Sequence, residues 1–188
     1  MKTVAIIYGW TGGSWSARHF RDELQRAGFK VISNREKANI IIAHSAGCYR
    51  VPDKTSAQLI LLIGVAYWPG KRLRSRVMNR FINGLKQDRN RGVLYMFHRF
   101  MWQLFYAIKR PGDVVISLRN HKSLDFLEKL KQKKIIIVRN NNDEYSSPEI
   151  GASLARYSNI KLVELPGFHD NYYTNPQPYI DLLTANIS

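Results

Sequence analysis

The sequence contains a single cysteine, Cys48. One cysteine excludes an internal disulfide and a zinc site built from several cysteines. No stretch approaches the roughly 20 apolar residues that a membrane-spanning helix needs. The apolar run from Val4 to Tyr8 is too short for the core of a signal peptide. We therefore expect residence in the cytoplasm and interpret this run as a first β-strand.

Acidic residues are also scarce. The chain has 14 Asp and Glu against 29 Lys and Arg, for a formal net charge of +15. The excess is uneven, because residues 71–110 contain eleven basic residues and one acidic residue, Asp88, and so hold +10 of the total. Such a charge favours anionic partners, namely nucleic acid, anionic lipid or acidic substrates.

The chain has 188 residues, 45% of them hydrophobic, which fits one domain with one sizeable core. Short runs of Val, Ile and Leu predict strands at 4–8, 30–32, 40–43, 59–65, 135–138 and 161–164. Helical patterns lie at 16–27, 124–130, 148–157 and 176–185. Continuous apolar runs are typical of strands covered on both faces, and strand–helix alternation implies a parallel sheet. The predicted fold is a single-domain α/β/α sandwich with a mostly parallel sheet of about six strands.

One segment, residues 69–112, interrupts this alternation. Residues 72–85 and 93–108 read as two helices, and the second is dense in aromatic side chains. We interpret the segment as a basic, aromatic helical insertion within a single domain that spans residues 1–188.

The clearest local motif is His44-Ser45-Ala46-Gly47, which follows the strand that ends at Ala43. Small residues two positions before and after the serine are what a nucleophile elbow requires, because bulky side chains would clash at this strained turn. The alternative is an ordinary strand-to-helix turn with a serine N-cap.

The motif resembles the nucleophile elbow of the α/β-hydrolase superfamily. Ala43 replaces the usual glycine, as it does in small bacterial lipases. In size the chain is similar to the minimal lipases and esterases of that superfamily and to the short hydrolases related to retinoblastoma-binding protein 9. The resemblance implies an α/β-hydrolase fold with Ser45 as nucleophile.

The resemblance also places a triad acid after a late strand. The strand at 135–138 leads into a polar loop that contains Asp143 and Glu144. The family pattern puts the acid at Asp143, with Glu144 as its neighbouring rival. The alternative role for Asp143 is that of a turn residue in a polar loop.

The catalytic histidine of the family follows the last strand, and Gly167-Phe168-His169 matches that position. His169 would take the proton from Ser45, and Asp143 would orient its ring. The alternative is a surface loop histidine. Asp170 is expected to steady the histidine loop, and His44 is expected to be structural.

An oxyanion hole in this family uses two backbone N–H groups. One would come from Ala46 and the other from Trp10, in the glycine-rich loop after the first strand. Tyr8-Gly9 replaces the His-Gly that the family often has there. The loop matches neither common phosphate-binding motif, so nucleotide binding is set aside. We also expect no other cofactor and no metal.

In this superfamily an insertion at this place commonly forms a lid, which implies that Phe100 and Trp102 line a substrate pocket. The simplest alternative is that the aromatic side chains pack the segment onto the body while the arginines solubilise it. Contact of residues 71–110 with an anionic membrane ranks second, and nucleic acid ranks third because no recognised binding module accompanies the charge.

The predicted function is cleavage of a small acyl ester or thioester through an acyl-serine intermediate. An acyl transferase would use the same residues. The alternative is a non-catalytic protein of the same fold that contacts anionic lipid or another anionic partner through the basic insertion.

Overall fold

The computed structural model describes residues 1–9, 17–69, 97, 101, 104–105, 108–109 and 111–187. Its strands are β1 Thr3–Ile7, β2 Lys30–Ile32, β3 Ile40–His44, β4 Leu59–Ile63, β5 Lys134–Asn140 and β6 Ile160–Leu165. They form one sheet in the order β2-β1-β3-β4-β5-β6, and every neighbouring pair is parallel. All six predicted strands are confirmed, with ends that shift by one or two residues.

The helices of the described residues are α1 Arg18–Arg26, α2 Pro111–Asn120, α3 Ile150–Leu154, α4 Asn171–Thr174 and α5 Gln177–Thr184. Two 3₁₀ helices add Ser45–Arg50 and Asp125–Leu130. The predicted helices at 16–27, 148–157 and 176–185 are present in shortened form. The helix predicted at 124–130 is a 3₁₀ helix, and α2 and α4 were not predicted.

Each face of the sheet is covered, which is why the central strands β3 and β4 are almost entirely apolar and buried along their whole length. On one face, side chains from β3, β4 and β5 pack against Leu127, Leu154 and their neighbours. On the other face the sheet packs against residues such as Phe20, Tyr179 and Leu183, from α1 and α5. The molecule is therefore the three-layer α/β/α sandwich that the sequence predicts.

Most of the predicted insertion, residues 69–112, lies outside the described residues. Its predicted end at residue 112 falls inside α2, so helical structure continues beyond that boundary. Two of its aromatic side chains, Phe97 and Phe105, are 62% and 54% exposed. No helix in the described part of the chain is long and apolar enough to cross a membrane.

Parallel strands bring their carboxyl ends to one edge of the sheet, which is where working sites lie in such folds. Ser45 follows β3, and the loops that carry Asp143 and His169 follow β5 and β6. β4 lies between β3 and β5 in the sheet. Ser45, Asp143 and His169 therefore lie at one edge of the sheet.

Candidate active site

Ser45 has a strained backbone conformation. Its φ is 54°, and among the described residues it is the only one other than glycine with positive φ. This conformation costs an L-residue on the order of 1–3 kcal/mol and persists where the surroundings impose it. Ser45 is half-buried at the end of β3 and opens a 3₁₀ helix rather than an α-helix.

Two glycines allow the tight packing around Ser45. A Cβ at Gly47 would lie 2.4 Å from the carbonyl oxygen of Ile7, so this position must be small. A Cβ at Gly9 would lie 2.8 Å from Cβ of Ser45. The loop after β1 therefore begins directly against the serine, where the resemblance expects the second oxyanion donor.

Asp143 and His169 form a buried pair. Nδ1 of His169 lies 2.8 Å from Oδ1 and 2.9 Å from Oδ2 of Asp143. Both residues are buried. An ionised carboxylate only accepts hydrogen bonds, so Nδ1 carries the proton and donates it. The other ring nitrogen, Nε2, is then the basic one.

Asp143 also acts as a turn residue in its own loop. Its Oδ1 accepts hydrogen bonds from the backbone N–H of Tyr145 at 2.8 Å and of Ser146 at 3.2 Å. The two interpretations of Asp143 from the sequence, acid partner and turn residue, are thus compatible. The turn fixes the carboxylate against its own loop, and the fixed carboxylate orients the imidazole.

Gly64, directly after β4, makes room for this pair. A Cβ at Gly64 would lie 2.9 Å from Oδ2 of Asp143 and 3.0 Å from Nδ1 of His169, and the φ of Gly64 is +56°. The pair therefore lies over the backbone of β4 and reaches toward β3. Sequence reasoning missed this residue, although a glycine at the end of an apolar strand is a known sign of close approach.

Two polar side chains of β5 hold the loops in place. Buried Asn140 donates from Nδ2 to the carbonyl of Phe168 at 2.7 Å and accepts from the Tyr179 hydroxyl at 2.7 Å. Buried Arg139 donates from Nε to the carbonyl of Ser146 at 3.0 Å. Each buried polar group is thereby paired, and each fixes the loop of one member of the Asp143–His169 pair.

His44 connects the serine turn to the histidine loop. Its Nε2 lies 3.1 Å from the carbonyl oxygen of His169, so Nε2 carries a proton and donates it. The two imidazole centroids are 4.6 Å apart. Burial, and next the charge of His169, lower the pKa of His44 to about 3, while Asp170 opposes the shift. His44 is therefore neutral at physiological pH.

Oδ1 of Asp170 lies 3.8 Å from Nε2 of His44, so Asp170 lies beside the connection between His44 and the histidine loop. His44, His169 and Asp170 are also close enough to be considered as metal ligands. Nε2 of His44 already donates to a carbonyl, and Nδ1 of His169 donates to Asp143. These two ring nitrogens are therefore engaged within the chain.

Comparisons with known proteins give similarity in structure alone. No protein-family model matches the chain, and no curated protein matches its sequence. A hydrolase from Oleispira antarctica matches at 16% identity with a TM-score of 0.62, over 99% of this chain and 92% of that one. An enol-lactonase from Burkholderia xenovorans matches at 10% identity with a TM-score of 0.64, over 98% and 90%.

A structure reported with carboxylesterases of Nitrososphaera gargenis matches at 13% identity with a TM-score of 0.63, over 98% of this chain and 89% of that one. These matches extend over nearly the whole of both chains. The chain has the α/β-hydrolase fold.

Of the remaining predicted residues of this chain with the α/β-hydrolase fold, the structure describes two and leaves three undescribed. Ala46 is buried in the first turn of the 3₁₀ helix after Ser45. Glu144 is half-buried on the loop of Asp143. Trp10, Phe100 and Trp102 lie outside the described residues.

An aromatic contact next to His169 was not predicted from the sequence. The ring centroid of Tyr145 lies 4.8 Å from that of His169 and 5.9 Å from that of Trp68. Trp68 in turn packs against His121 at 4.6 Å. The imidazole of His169 therefore packs against the ring of Tyr145 as well as its carboxylate partner, which restricts its orientation further.

Proposed function

We propose that this protein is a serine hydrolase that cleaves an ester or related acyl bond through an acyl-serine intermediate. The observation that carries the proposal is the buried Asp143–His169 pair, at the same sheet edge as a serine held at φ 54°. The structural neighbours described as a hydrolase, a lactonase and carboxylesterases support hydrolytic chemistry on small molecules.

In the proposed mechanism Oγ of Ser45 attacks the acyl carbonyl while Nε2 of His169 takes the hydroxyl proton. The resulting imidazolium is stabilised by Asp143. The tetrahedral oxyanion accepts hydrogen bonds from the backbone N–H groups of Ala46 and Trp10. Its collapse breaks the bond to the leaving alcohol or thiol, which receives the proton from His169.

Deacylation repeats these steps with water. His169 takes a proton from the water molecule as its oxygen attacks the acyl carbon, and Ser45 leaves with that proton. The products are the free acid and the original serine. Every proton passes through Nε2 of His169, so a fixed Nδ1–H donor to Asp143 is what the mechanism needs from the rest of the site.

Asp143, rather than Glu144, is the proposed acid. The two carboxylate oxygens of Asp143 lie within 2.9 Å of the imidazole Nδ1, and two backbone N–H groups fix that carboxylate. For the substrate we propose a small acyl ester or thioester. Phe100 and Trp102 stay proposed pocket residues.

The rival function is a binding protein that keeps the fold without turnover and contacts anionic lipid or another anionic partner through residues 71–110. It is favoured by Tyr8 and Ala43, which depart from the family pattern. The two functions differ in whether Ser45 is chemically activated.

Hydrolysis of a p-nitrophenyl ester by wild-type protein and by Ser45→Ala tests the proposal. We expect wild-type turnover and a loss of at least about 10³-fold in the variant, since the variant keeps only binding and oxyanion stabilisation. Ser147→Ala, a buried serine on the loop of Asp143, is the matched control. Equal rates for wild type and Ser45→Ala would contradict the proposal.

A further inference from the structure

A groove lies at the amino ends of β5 and β6, on the edge of the sheet opposite to the candidate active site. It is lined by residues 131–136, 158–161 and 186, and its volume is about 480 Å³. That volume is in the range of sites that hold small molecules. We call it the lysine groove.

The lysine groove carries positive charge that is not balanced within it. Its basic residues are Lys131, Lys133, Lys134 and Lys161. None of the described residues that line it is acidic. The ammonium groups of Lys131 and Lys161 are exposed and form no ion pair with any described residue, whereas nearby Lys129, outside the groove, pairs with Asp53 at 3.1 Å. Like charges repel one another, so a bound anion would stabilise this arrangement.

Hydrogen bonds hold the two walls of the groove together. Nδ2 of Asn159 donates to the carbonyl of Lys133 at 2.8 Å, and the carbonyl of Asn159 accepts from the N–H of Ile135 at 3.1 Å. The loop before β6 is thereby fixed to the loop before β5. Lys133 and Lys134 each donate from Nζ to a backbone carbonyl, at 2.7 and 3.0 Å. An ammonium group has three donors, so both lysines keep their charge and further N–H groups for a ligand.

We propose that the lysine groove binds a small polyphosphate, a molecule that carries a chain of two or three phosphate groups. Lysine binds phosphate as a point charge, without the planar geometry that arginine imposes. A phosphate chain distributes its negative charge along its length, so one molecule can contact lysines from both walls. The four lysines match the charge of such a chain better than that of a single carboxylate.

Other anionic partners match the lysine groove less well. Single-stranded nucleic acid combines backbone contacts with stacking on aromatic rings, and no aromatic residue is among those described around the groove. A surface that docks on a bilayer presents exposed apolar side chains, whereas Ile135 and Ile136 in the groove are buried. A small polyphosphate needs only the concave shape and the charge.

The groove is separate from the candidate active site. β5 runs from Lys134 in the groove to Asn140 beside the loop of Asp143. Seven residues of strand place its two ends roughly 20 Å apart. A ligand in the groove would therefore not compete with a substrate at Ser45, and its binding can be measured whether or not the protein hydrolyses an ester.

Calorimetric titration of the full chain with inorganic triphosphate, at low salt and at about 0.15 M salt, tests the proposal. We expect saturable binding that weakens with salt. Lys131→Gln/Lys161→Gln should bind about tenfold more weakly, since two partly exposed ion pairs are together worth about that factor. Ser45→Ala should bind like wild-type protein.

A second double variant removes the same charge elsewhere, because residues 71–110 could also attract anions. Lys30 and Lys37 are exposed, and Lys30 lies on β2, the edge strand farthest from β6. Lys30→Gln/Lys37→Gln should change triphosphate binding by less than about twofold. Thermal unfolding checks that both double variants remain folded.

ATP and citrate define what the groove recognises. Equal binding of ATP and triphosphate would mean that the phosphate chain alone is bound, and tighter binding of ATP would add contacts to its nucleoside; both results support the proposal. Citrate should bind more weakly than triphosphate. Binding of citrate as tight as that of triphosphate would contradict a phosphate site.

Three further results would overturn the proposal. These are an absence of saturable triphosphate binding at low salt, equal weakening by the two double variants, and unchanged binding by Lys131→Gln/Lys161→Gln. If duplex RNA binds wild-type protein more tightly than Lys131→Gln/Lys161→Gln while triphosphate binds neither, the occupant is nucleic acid instead.

Discussion

The site at the carboxyl edge of the sheet and the described residues of segment 69–112 are built in opposite ways. At the site, the polar groups of Arg139, Asn140 and Asp143 are buried and paired within the chain. In segment 69–112, apolar side chains such as Met101 and Ile108 are exposed. The first region is held by hydrogen bonds within the chain, whereas the second presents apolar side chains to solvent.

The largest effect is expected for Asp143→Asn. The amide can donate to Nδ1 of His169, which favours the wrong imidazole tautomer, so turnover should fall by about 10⁴-fold while the fold is kept. Glu144→Gln is the control and should change turnover little. Steady-state kinetics on a soluble ester provide the measurement. The reverse pattern would transfer the acid role to Glu144.

The second-largest loss of turnover is expected for Gly64→Ala. Its Cβ would meet Asp143 and His169 at about 3 Å, so the pair must move, and a shift near 1 Å can cost about 10²-fold in rate. Gly28→Ala is matched in backbone strain, since its φ is +86°, but nothing lies within 4 Å of the added Cβ. It should lower stability and leave kcat unchanged. A fully active Gly64→Ala would contradict the geometry of the site.

His44→Phe should have a smaller effect. An aromatic ring is kept, but the hydrogen bond to the carbonyl of His169 is lost, which is worth about 1 kcal/mol, or roughly fivefold in kcat. His44→Gln keeps an N–H donor and should recover part of that loss. Kinetics across pH test this, because a displaced His169 should also change the apparent pKa of the rate profile.

The lowered pKa of His44 also predicts how the stability of the fold depends on pH. The pKa of His44 is about 3 when folded and near 6.5 when unfolded, so below about pH 6.5 the unfolded state binds more protons. This contribution is present above pH 6.5 and is lost as the pH falls toward 3. The urea midpoint of wild-type protein should therefore drop more steeply between pH 7 and 4.5 than that of His44→Phe. Parallel curves would contradict a buried neutral imidazole.

The smallest effect is expected where the two regions should be independent. Ile108→Ser should change kcat on a small soluble ester by less than about twofold, since this side chain is 73% exposed and surface substitutions usually have small effects. A large loss of soluble turnover would mean that Ile108 forms part of the substrate site.

Much of the fold was predictable because its strands are buried on both faces. Continuous apolar runs such as Ile40–His44 and Leu59–Ile63 indicate parallel strands directly. α2 was missed because Val114, Val115 and Ile116 are β-branched residues, which favour strands in isolation. Its helical conformation comes from tertiary context that no local pattern contains.

The candidate site was predictable at the positions where a strand ends in a motif. Ser45, Asp143 and His169 were all named from such motifs, and the structure brings Asp143 and His169 into contact. Gly64 and Asn140 were not named, because their importance lies in contacts across strands, which sequence order does not show. The mutual packing of His44 and His169 was hidden for the same reason.

The most direct test of the account is labelling with a fluorophosphonate probe, followed by mass spectrometry of the modified peptide. The probe reacts only with an activated serine, so binding without activation leaves no adduct. We predict a covalent adduct on Ser45 of wild-type protein, none on Ser45→Ala, and strongly slowed labelling of Asp143→Asn. An unlabelled wild-type protein, or an adduct on another residue with Ser45 unmodified, would contradict the proposal that this chain is a serine hydrolase.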